Sequence, residues 1–377
     1  MKRRVAVLGA TGSIGRSALE VIRAANAAAG DEAFEVVLLS AHTGGEALAL
    51  LGDEFPGARR VLSGTEGPEA LPEAIGELRP DMTVNGITGA AGLLPSEAAI
   101  RAGSDLALAN KETVVMAGDL ILSLAAEKRA RILPVDSEHS AIFHLLNAQG
   151  REGAEELILT ASGGPFRKLS RGEMEKVRPA DALAHPTWKM GPKITIDSAS
   201  MANKGLEVIE AVRLFGFPPE KVRVLIHPQS VVHSMVRMKD GAVYAQLSRP
   251  DMRLPIHKAL CYPECRESSF GALDFDALTL EFEKPDFERF PMLPLAWEAI
   301  RRGGLYPCVY NAANETAAAA FLAGKTGFLD IPVTVDYVLN MQWAAAATDI
   351  ETVLEADERA RTAAAEFMGK RSSEGRK

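Results

Sequence analysis

Residues 4–15 read Arg-Val-Ala-Val-Leu-Gly-Ala-Thr-Gly-Ser-Ile-Gly, and this stretch decides the fold of the first part of the chain. The apolar, β-prone residues 4–8 predict a strand, and the apolar positions after it, Ile14, Ala18, Val21, Ile22 and Ala25, share one face of a helix. A strand, the turn Gly9-x-x-Gly12-x-x-Gly15 and a helix are typical of a pyrophosphate-binding turn, because glycine permits close approach to backbone N–H groups. A glycine-rich turn without a ligand is the alternative.

Four further apolar runs, at 34–40, 82–87, 105–109 and 131–135, are separated by helix-length segments. This alternation of strand and helix predicts a parallel sheet with both faces covered. We place this dinucleotide-binding domain at residues 1–136.

The end of the second predicted strand indicates which dinucleotide binds. NAD sites usually place a carboxylate there to hold the ribose 2′-hydroxyl. This chain has Ser40-Ala-His-Thr-Gly44 instead. The missing acid favours NADP, and His42 and Thr43 are the candidates for contact with its 2′-phosphate.

Beyond residue 136 the pattern changes to that of a mixed α+β domain. Strands are predicted at 157–160, 194–196, 222–226 and 231–238, and Asp240-Gly241 joins the last of these to 242–247 as a hairpin. We assign 137–262 to this central domain and 263–290, rich in Pro, Phe and charge, to an extended linker. Residues 291–370 are predicted to form a helical domain and 371–377 a disordered tail.

Three acidic residues could form a site for a hard metal ion. Asp136 and Glu138 follow a predicted strand, and residues two apart in an extended chain point the same way. Asn203 and Glu207 share one face of a predicted helix. Carboxylates without Cys or paired His suit Mg²⁺ or Mn²⁺. Taken singly, each acid is also compatible with a surface position.

Two segments have the residues to bind a phosphate group. Thr160-Ala-Ser-Gly-Gly-Pro165 is a strand that runs into a loop of small residues, and Asp197-Ser198 is predicted to precede the helix with Asn203 and Lys204. An ordinary turn and a helix cap at Ser198 are the alternatives. Trp188 lies between them in a loop that suits a lid over the site, although core packing is the more common role of tryptophan.

Composition excludes several classes of function. The 377 residues carry 42 Lys+Arg and 50 Asp+Glu, a net charge of −8, so nucleic acid is not an expected partner. No apolar run approaches the roughly 18 residues of a membrane span. Cys261, Cys265 and Cys308 lack metal-ligand spacing, as expected of a reduced cytoplasmic protein.

Together these residues resemble one family, the 1-deoxy-D-xylulose 5-phosphate reductoisomerases, NADPH-dependent enzymes of the non-mevalonate isoprenoid pathway. The motifs stand in family order from residue 5 to about 330. They are Gly9-Ala-Thr-Gly-Ser-Ile-Gly15, Gly89-Ala-Ala-Gly-Leu-Leu-Pro95, Ala109-Asn-Lys-Glu112, Pro134-Val-Asp-Ser-Glu-His139, Ser162-Gly-Gly-Pro-Phe166, His185-Pro186, Met201 with Asn203-Lys-Gly-Leu-Glu207, Ile226-His-Pro-Gln-Ser230, Pro250-Asp-Met-Arg253 and Asn311-Ala-Ala-Asn-Glu315.

The resemblance implies isomerisation and reduction of 1-deoxy-D-xylulose 5-phosphate to 2-C-methyl-D-erythritol 4-phosphate, with NADPH and a divalent cation, Mn²⁺, Mg²⁺ or Co²⁺. It also implies a homodimer with a Rossmann-like NADP-binding domain, a central α+β catalytic and dimerisation domain, an extended linker and a C-terminal helical bundle. The sequence Ala41-His-Thr-Gly-Gly45 departs from the residues that the family usually has after the second strand, which leaves the 2′-phosphate contacts open.

The resemblance also implies the site residues. With Thr43 added from the strand end, the cofactor contacts are Thr11, Gly12, Ser13, Ile14, Thr43, Asn110, Lys111, Glu112 and Gly191. The metal ligands are Asp136, Glu138 and Glu207. The substrate contacts are Ser137, Ser162, His185, Trp188, Ser198, Asn203, Lys204 and Glu207, and His185, Trp188 and Met190 form a flap over the substrate. Lys111, Glu138 and His185 are the catalytic candidates.

Two other functions remain to be distinguished from this one. A semialdehyde dehydrogenase has a similar glycine loop but needs a cysteine thiolate, and none of the three cysteines lies at an obvious strand end. A non-catalytic regulator that senses NADPH would need neither the acids nor a phosphate site. Metal-dependent oxidation of NADPH by 1-deoxy-D-xylulose 5-phosphate separates all three.

Overall fold

A computed structural model describes residues 2–29, 33–183, 191–343 and 346–374, with only the backbone described for 372–374. The chain divides into two compact units. Unit 1 comprises Met1–Thr113, Ile121–Ser140 and Asp251–Ala272, and unit 2 comprises Val114–Leu120, Ala141–Pro250 and Leu273–Lys377. The predicted domain limits at residues 136, 262, 290 and 370 stay predictions.

Unit 1 contains a six-stranded sheet in the order β3-β2-β1-β4-β5-β6, with every neighbouring pair parallel. Its strands are β1 (Arg3–Leu8), β2 (Phe34–Ala41), β3 (Arg59–Leu62), β4 (Met82–Asn85), β5 (Asp105–Leu108) and β6 (Ile132–Pro134). This arrangement confirms the predicted Rossmann-like sheet. The sequence prediction missed β3, because a four-residue edge strand that begins with two exposed arginines has no clear apolar pattern.

The helices follow the expected alternation in unit 1 and form a bundle in unit 2. Within the described residues the α-helices are α1 (Ser13–Ala28), α2 (Gly45–Glu54), α3 (Ser63–Glu66), α4 (Ala70–Leu78), α5 (Leu93–Arg101), α6 (Lys111–Lys128), α7 (Ser137–Gln149), α8 (Arg171–Met174), α9 (Pro179–Ala182), α10 (Pro192–Ser200), α11 (Ala202–Phe215), α12 (Arg253–Cys261), α13 (Met292–Arg302), α14 (Tyr306–Leu322), α15 (Asp330–Leu339) and α16 (Ile350–Glu374).

Unit 2 contains a four-stranded mixed sheet in the order β10-β9-β7-β8. Its strands are β7 (Ala154–Ala161), β8 (Val222–Ile226), β9 (Val232–Met238) and β10 (Val243–Leu247), of which only β7 and β8 are parallel neighbours. The hairpin at Asp240-Gly241 is confirmed, with Gly241 at φ +91° in the turn.

Two predictions about unit 2 are wrong. Residues 194–196 lie in α10 rather than in a strand: Pro192 occupies the first helical turn, and burial of Thr195, Ile196 and Ala199 follows helical spacing. Burial of that face outweighs the β preference of Ile-Thr-Ile. The predicted tail from 371 is also corrected, since α16 continues to Glu374; residues 375–377 lie outside the described residues.

In the described parts of the chain we find no helix that has both the length and the apolar character of a membrane span.

Candidate active site

The loop after β1 requires glycine at two positions. Gly9 has φ +72°, and a Cβ placed on it would lie 2.9 Å from the Gly86 carbonyl oxygen. A Cβ on Gly15 would lie 2.3 Å from the Gly9 carbonyl oxygen. The chain therefore folds back tightly on itself here, as the sequence pattern predicts.

This loop leads directly into the N-terminus of α1. Gly12 is the capping residue, and no side chain among the described residues caps the first turn. Thr11 and Ile14 are half-buried, whereas Gly12 and Ser13 are exposed. Accessible N–H groups at the positive end of a 16-residue helix suit the pyrophosphate of a dinucleotide.

Asn110 fixes the loops that follow β4 and β5. Its Nδ2 donates to the carbonyl oxygens of Ile87 and Gly89, both at 2.8 Å, and its Oδ1 accepts from Thr113 N at 2.9 Å and so caps α6. Glu112 also accepts a hydrogen bond from Asn110 Nδ2, at 3.1 Å. The side chain of Asn110 thus orders the carboxyl end of the sheet, where α/β folds bind ligands.

Thr43 and His42 lie exposed at the end of β2. The His42 carbonyl oxygen accepts a hydrogen bond from Gly64 N at 3.1 Å, and the His42 ring is 3.3 Å from Ser63 Oγ. These contacts hold the end of β2 against the start of α3. Contact of either side chain with a 2′-phosphate stays a prediction.

Asp136 and Glu138 lie close together in unit 1, although not for the predicted reason. Asp136 follows β6, and Glu138 lies in the first turn of α7 rather than in extended chain. Their carboxylate oxygens approach within 4.8 Å of each other. Ser137 Oγ donates a hydrogen bond to Glu138 Oε2. The start of a helix, and not strand alternation, brings the two acids together.

The environment of Asp136 favours its ionised form. Burial acts to raise the pKa of this carboxyl group, but the Lys111 ammonium and the His139 ring outweigh it and hold the pKa well below the ordinary value. Lys111 Nζ forms an ion pair with Asp136 Oδ2, and His139 Nδ1 lies 3.8 Å from the same oxygen. At neutral pH Asp136 is therefore a carboxylate, the form that a cation binds.

The loop after β7 lies against α10 in unit 2. Gly163 and Gly164 have φ +84° and +69°, and a Cβ on Gly164 would lie 2.6 Å from the carbonyl oxygen of Ser198. Ser162 Oγ accepts a hydrogen bond from Gly164 N at 3.3 Å. Ser162 and Ser198, far apart in sequence, thus belong to neighbouring segments.

Ser198 precedes α11, the helix with Asn203 and Lys204, as predicted, but the alternative that it caps this helix is wrong. Ser198 lies in the last turn of α10, and the helix break comes after it, at Met201, where φ is 64°. Met201 N donates to Ser198 O at 3.2 Å. Ser198 therefore reaches the site from the end of one helix and not from the start of the next.

The start of α11 confirms the predicted helical face. Asn203 Nδ2 donates to Glu207 Oε1, and Lys204 Nζ forms an ion pair with Glu207 Oε2. Lys204 is 4% exposed and Glu207 1% exposed. Buried charges persist only when they are paired and hydrogen-bonded, so this cluster is a site of concentrated, oriented charge.

Some predicted site residues cannot be compared with the structure. His185, Trp188 and Met190 lie outside the described residues. Gly191 is described, and it is exposed at the start of α10, where its carbonyl oxygen accepts from Thr195 N at 3.0 Å.

Sequence reasoning assigned no role to two buried polar residues, although Asp197 lies in a predicted phosphate segment and Asn314 in a family motif. Asp197 is 1% exposed and Asn314 is fully buried. The only signal in the sequence was the presence of asparagines in an alanine-rich helix, at Asn311 and Asn314.

The thiols do not favour the semialdehyde dehydrogenase alternative. All three cysteines are free, as predicted. Burial raises the pKa of the Cys261 thiol and that of the Cys308 thiol, so neither favours the thiolate that acyl transfer requires. Cys265 is exposed.

Comparison with known proteins agrees with this geometry. Family models match the chain over residues 5–62 and 46–118 (1-deoxy-D-xylulose 5-phosphate reductoisomerase), 132–215 (1-deoxy-D-xylulose 5-phosphate reductoisomerase C-terminal domain) and 247–363 (DXP reductoisomerase C-terminal domain). The 1-deoxy-D-xylulose 5-phosphate reductoisomerase of Treponema denticola is 46% identical over 372 residues, which cover 96% of each chain. That of Chlorobium chlorochromatii is 48% identical over 385 residues, 97% of this chain and 100% of the relative.

Solved structures show the same similarity. The reductoisomerase of Zymomonas mobilis in complex with NADPH has a TM-score of 0.90 at 43% identity and covers 98% of this chain and 99% of its own. A DOX-P reductoisomerase in complex with NADPH, fosmidomycin and magnesium has a TM-score of 0.88 at 36% identity, with 97% and 98% coverage. The chain therefore belongs to the 1-deoxy-D-xylulose 5-phosphate reductoisomerase family, NADPH- and metal-dependent enzymes that convert 1-deoxy-D-xylulose 5-phosphate to 2-C-methyl-D-erythritol 4-phosphate.

Proposed function

We propose that three groups of residues carry this reaction: the glycine loop binds NADPH, the Ser162 loop and the residues of α10 and α11 bind the substrate phosphate, and Asp136, Glu138 and Glu207 bind one divalent cation. The observation that carries the proposal is the buried Asp136 carboxylate, held ionised by Lys111 with Glu138 within 4.8 Å. A buried carboxylate beside a second carboxylate offers the oxygen donors that a hard cation prefers.

The donor set fits a hard cation. Carboxylate oxygens of this kind suit Mg²⁺, Mn²⁺ or Co²⁺, and Mn²⁺ is one of the ions proposed for this chain. When bound, the cation polarises the substrate ketone and its neighbouring hydroxyl, and NADPH supplies the hydride. Ser137 lies beside Glu138 and is proposed to contact the substrate.

The glycine loop fits NADPH by its backbone. We assign pyrophosphate contacts to the N–H groups and hydroxyls of residues 11–14, and contact with the 2′-phosphate to Thr43. Asn110, Lys111 and Glu112 follow β5, which is two strands from β1 in the same sheet. Gly191 is proposed as a further contact. The tight approaches at Gly9 and Gly15 support this assignment, since they show a turn folded as closely as the pyrophosphate-binding turn requires.

The residues of unit 2 fit a phosphate monoester. Ser162 and Ser198 provide hydroxyls, Asn203 an amide and Lys204 an ammonium. Fixed contacts at the phosphate end keep the substrate in one position while its carbon skeleton rearranges. His185 and Trp188 are proposed to cover the substrate.

Proton transfer is assigned to Lys111, Glu138 and His185. Lys111 Nζ forms an ion pair with Asp136, and an ammonium at this position can donate a hydrogen bond to an oxygen that gains negative charge. Glu138 accepts a hydrogen bond from Ser137 Oγ, and a proton can reach Glu138 through this hydroxyl.

We also propose a cytoplasmic homodimer. β10 is the last strand of its sheet, with Val243 45% exposed and Tyr244 40% exposed. Pairing of this edge with the β10 of a second copy would continue the sheet across a two-fold axis. Three free cysteines suit a reducing compartment. Sedimentation of the purified chain tests the dimer.

The assay for the whole proposal follows NADPH absorbance with 1-deoxy-D-xylulose 5-phosphate and Mn²⁺ or Mg²⁺. We expect oxidation of NADPH only when the substrate and a metal ion are both present, and loss of the activity after chelation with EDTA. Mixtures without substrate provide the control. No oxidation in the complete mixture would contradict the proposal.

A further inference from the structure

The segment Asn311-Ala-Ala-Asn-Glu315 of α14 contains polar residues in the interior of unit 2. Asn311 and Asn314 are both fully buried. Burying a side-chain amide among apolar residues destabilises the fold unless its polar atoms bind partners. The partner of Asn314 therefore shows what the residue does.

Asn314 binds a buried carboxylate of α10. Its Nδ2 donates to Asp197 Oδ1 at 2.9 Å, across 117 residues of sequence. Lys193 Nζ lies 2.8 Å from the other oxygen, Asp197 Oδ2. Asp197 thus accepts from an amide on one oxygen and from an ammonium on the other, and hydrogen bonds to an ionised acceptor are the stronger kind.

Asp197 belongs to the turn that presents Ser198. Ser200 Oγ donates to Asp197 O at 3.3 Å, and Met201 N donates to Ser198 O at 3.2 Å. The helix then breaks at Met201, in the left-handed region. A shift of Asp197 would move this turn, and Ser198 with it.

The same face of α14 also supports α11. Tyr310 lies one helical turn before Asn314, and a Cβ on Gly205 would lie 2.4 Å from Tyr310 Oη. Tyr310 Oη donates to Met292 O at 3.0 Å, which fixes the ring. The helix that carries Asn203 and Lys204 therefore packs closely against α14 as well.

Ion pairs of Glu315 connect α10 and α14 with the last helix, α16. Glu315 lies 3.9 Å from Lys193 Nζ and 2.7 Å from Arg361 Nη2 of α16. Arg361 also forms an ion pair with Asp357, at 2.6 Å. Charged contacts thus run from α10 through α14 to α16.

We propose that Asn314 is a positioning residue for the phosphate end of the substrate: it holds Asp197, and Asp197 holds the turn with Ser198 at the separation that a phosphate needs. This inference rests on the proposed role of Ser198. The C-terminal helices thus influence the affinity of the protein for the substrate phosphate without contacting the phosphate.

The test compares Asn314→Ala with Thr316→Val in the same helix. Thr316 Oγ1 donates only within α14, to Ala312 O at 2.8 Å, so its loss leaves α10 in place. For each variant we would measure kcat, KM for 1-deoxy-D-xylulose 5-phosphate, inhibition by inorganic phosphate, Kd for NADPH and Tm. We expect Asn314→Ala to raise KM and the phosphate inhibition constant about tenfold and to leave the Kd for NADPH unchanged. Thr316→Val should leave all four binding and kinetic constants unchanged.

If the alanine variant folds poorly, a pair of variants that exchanges the amide and the carboxylate between positions 314 and 197 tests the same role. Asn314→Asp places a carboxylate opposite Asp197 and should weaken phosphate binding. The double variant Asp197→Asn/Asn314→Asp restores a hydrogen bond with the donor and acceptor exchanged. We expect it to recover most of the lost phosphate affinity.

The outcomes separate this inference from the proposed function. If Ser198→Ala leaves KM and phosphate inhibition unchanged, the proposed phosphate site is wrong and the inference falls with it. If Ser198→Ala weakens both while Asn314→Asp weakens neither, only the positioning role is overturned. A loss of NADPH affinity equal to the loss of phosphate affinity, or no recovery in the double variant, would reduce Asn314 to a structural residue.

Discussion

The glycine loop of unit 1 and the α10–α11 region of unit 2 both have the chemistry to bind phosphate groups. They differ in the groups they offer, which are backbone N–H groups in the first and charged side chains in the second. The loop uses backbone N–H groups and close approaches at Gly9 and Gly15. The α10–α11 region contains paired charges, with the buried Lys204 paired to Glu207 and the half-buried Lys193 paired to the buried Asp197. A backbone site is thus formed by residues adjacent in sequence, whereas a site of buried charges depends on partners elsewhere in the fold.

The two kinds of site also differ in what a substitution does. A side chain added at a tightly packed glycine changes the shape of the loop, and it destabilises the fold through steric overlap. Loss of one member of a buried ion pair leaves the other charge without compensation, which is among the most damaging changes in a protein. We therefore expect the largest functional effects in unit 2.

The strongest test of this difference is Glu207→Gln. The variant lacks the negative charge that the proposed cation and Lys204 both require, so we expect turnover and Mn²⁺ affinity to fall by about 100-fold or more. The Kd for NADPH should stay nearly unchanged, because the glycine loop, which we propose binds NADPH, belongs to unit 1. Steady-state kinetics, calorimetric titration of Mn²⁺ and NADPH fluorescence measure the three quantities.

A matched control is Glu298→Gln, which removes an exposed acid paired with Arg302 within α13. It should leave turnover and metal affinity unchanged. Normal turnover of Glu207→Gln at low Mn²⁺ would show that the metal assignment is wrong.

An intermediate effect is expected for Gly15→Ala. The added Cβ would lie 2.3 Å from Gly9 O and 2.5 Å from Ala10 Cα, so the loop must shift. We expect the Kd for NADPH to rise about tenfold and the free energy of unfolding to fall by about 1–3 kcal/mol. Metal affinity should not change. Urea denaturation and NADPH titration provide the measurements.

Gly57→Ala is the control within the same unit, since a Cβ there meets nothing within 4 Å. Its effect on unfolding should stay below about 0.5 kcal/mol. If Gly15→Ala bound NADPH as tightly as the unmodified chain, the close packing of Gly15 against Gly9 and Ala10 would not be needed for cofactor binding.

The smallest effect concerns a surface ion pair of unit 1, Arg23 of α1 with Glu54 of α2. The hydrogen bond from Arg23 lowers the pKa of Glu54, against a smaller opposing effect of burial. A lowered folded-state pKa stabilises the fold above the unfolded pKa, and this contribution disappears as pH falls through the folded-state pKa. The side chains are 41% and 43% exposed, so solvent screening limits the contribution to less than about 1 kcal/mol.

Urea denaturation of Glu54→Gln near neutral pH and near pH 3 tests this sign. The destabilisation should be present at neutral pH and small in acid. A destabilisation that is equal at both pH values would mean that it arises from packing and not from charge.

Local patterns gave correct predictions at several places where neighbouring residues supply the interaction. The β1 strand, the helix with Ile14 and Ala18, and the Asn203–Glu207 face were all predicted correctly, since each depends on residues no more than one or two turns apart. The prediction of a strand failed at residues 194–196, and the alternative of a helix cap failed at Ser198. There the burial of α10 decides the conformation, and its partner Asn314 lies 117 residues away.

By itself, the sequence determined the parallel sheet, the glycine turn and the family, because the periodicity of apolar residues and the conformational freedom of glycine act over short distances. Only the tertiary structure decided that Asp136 is ionised beside Lys111 and that α10 is a helix. The same holds for the hydrogen bond between Asn314 and the carboxylate of Asp197 in α10. These features arise from burial, because a buried charge or amide destabilises the fold unless it is paired. Burial is a property of the packed fold rather than of any one segment.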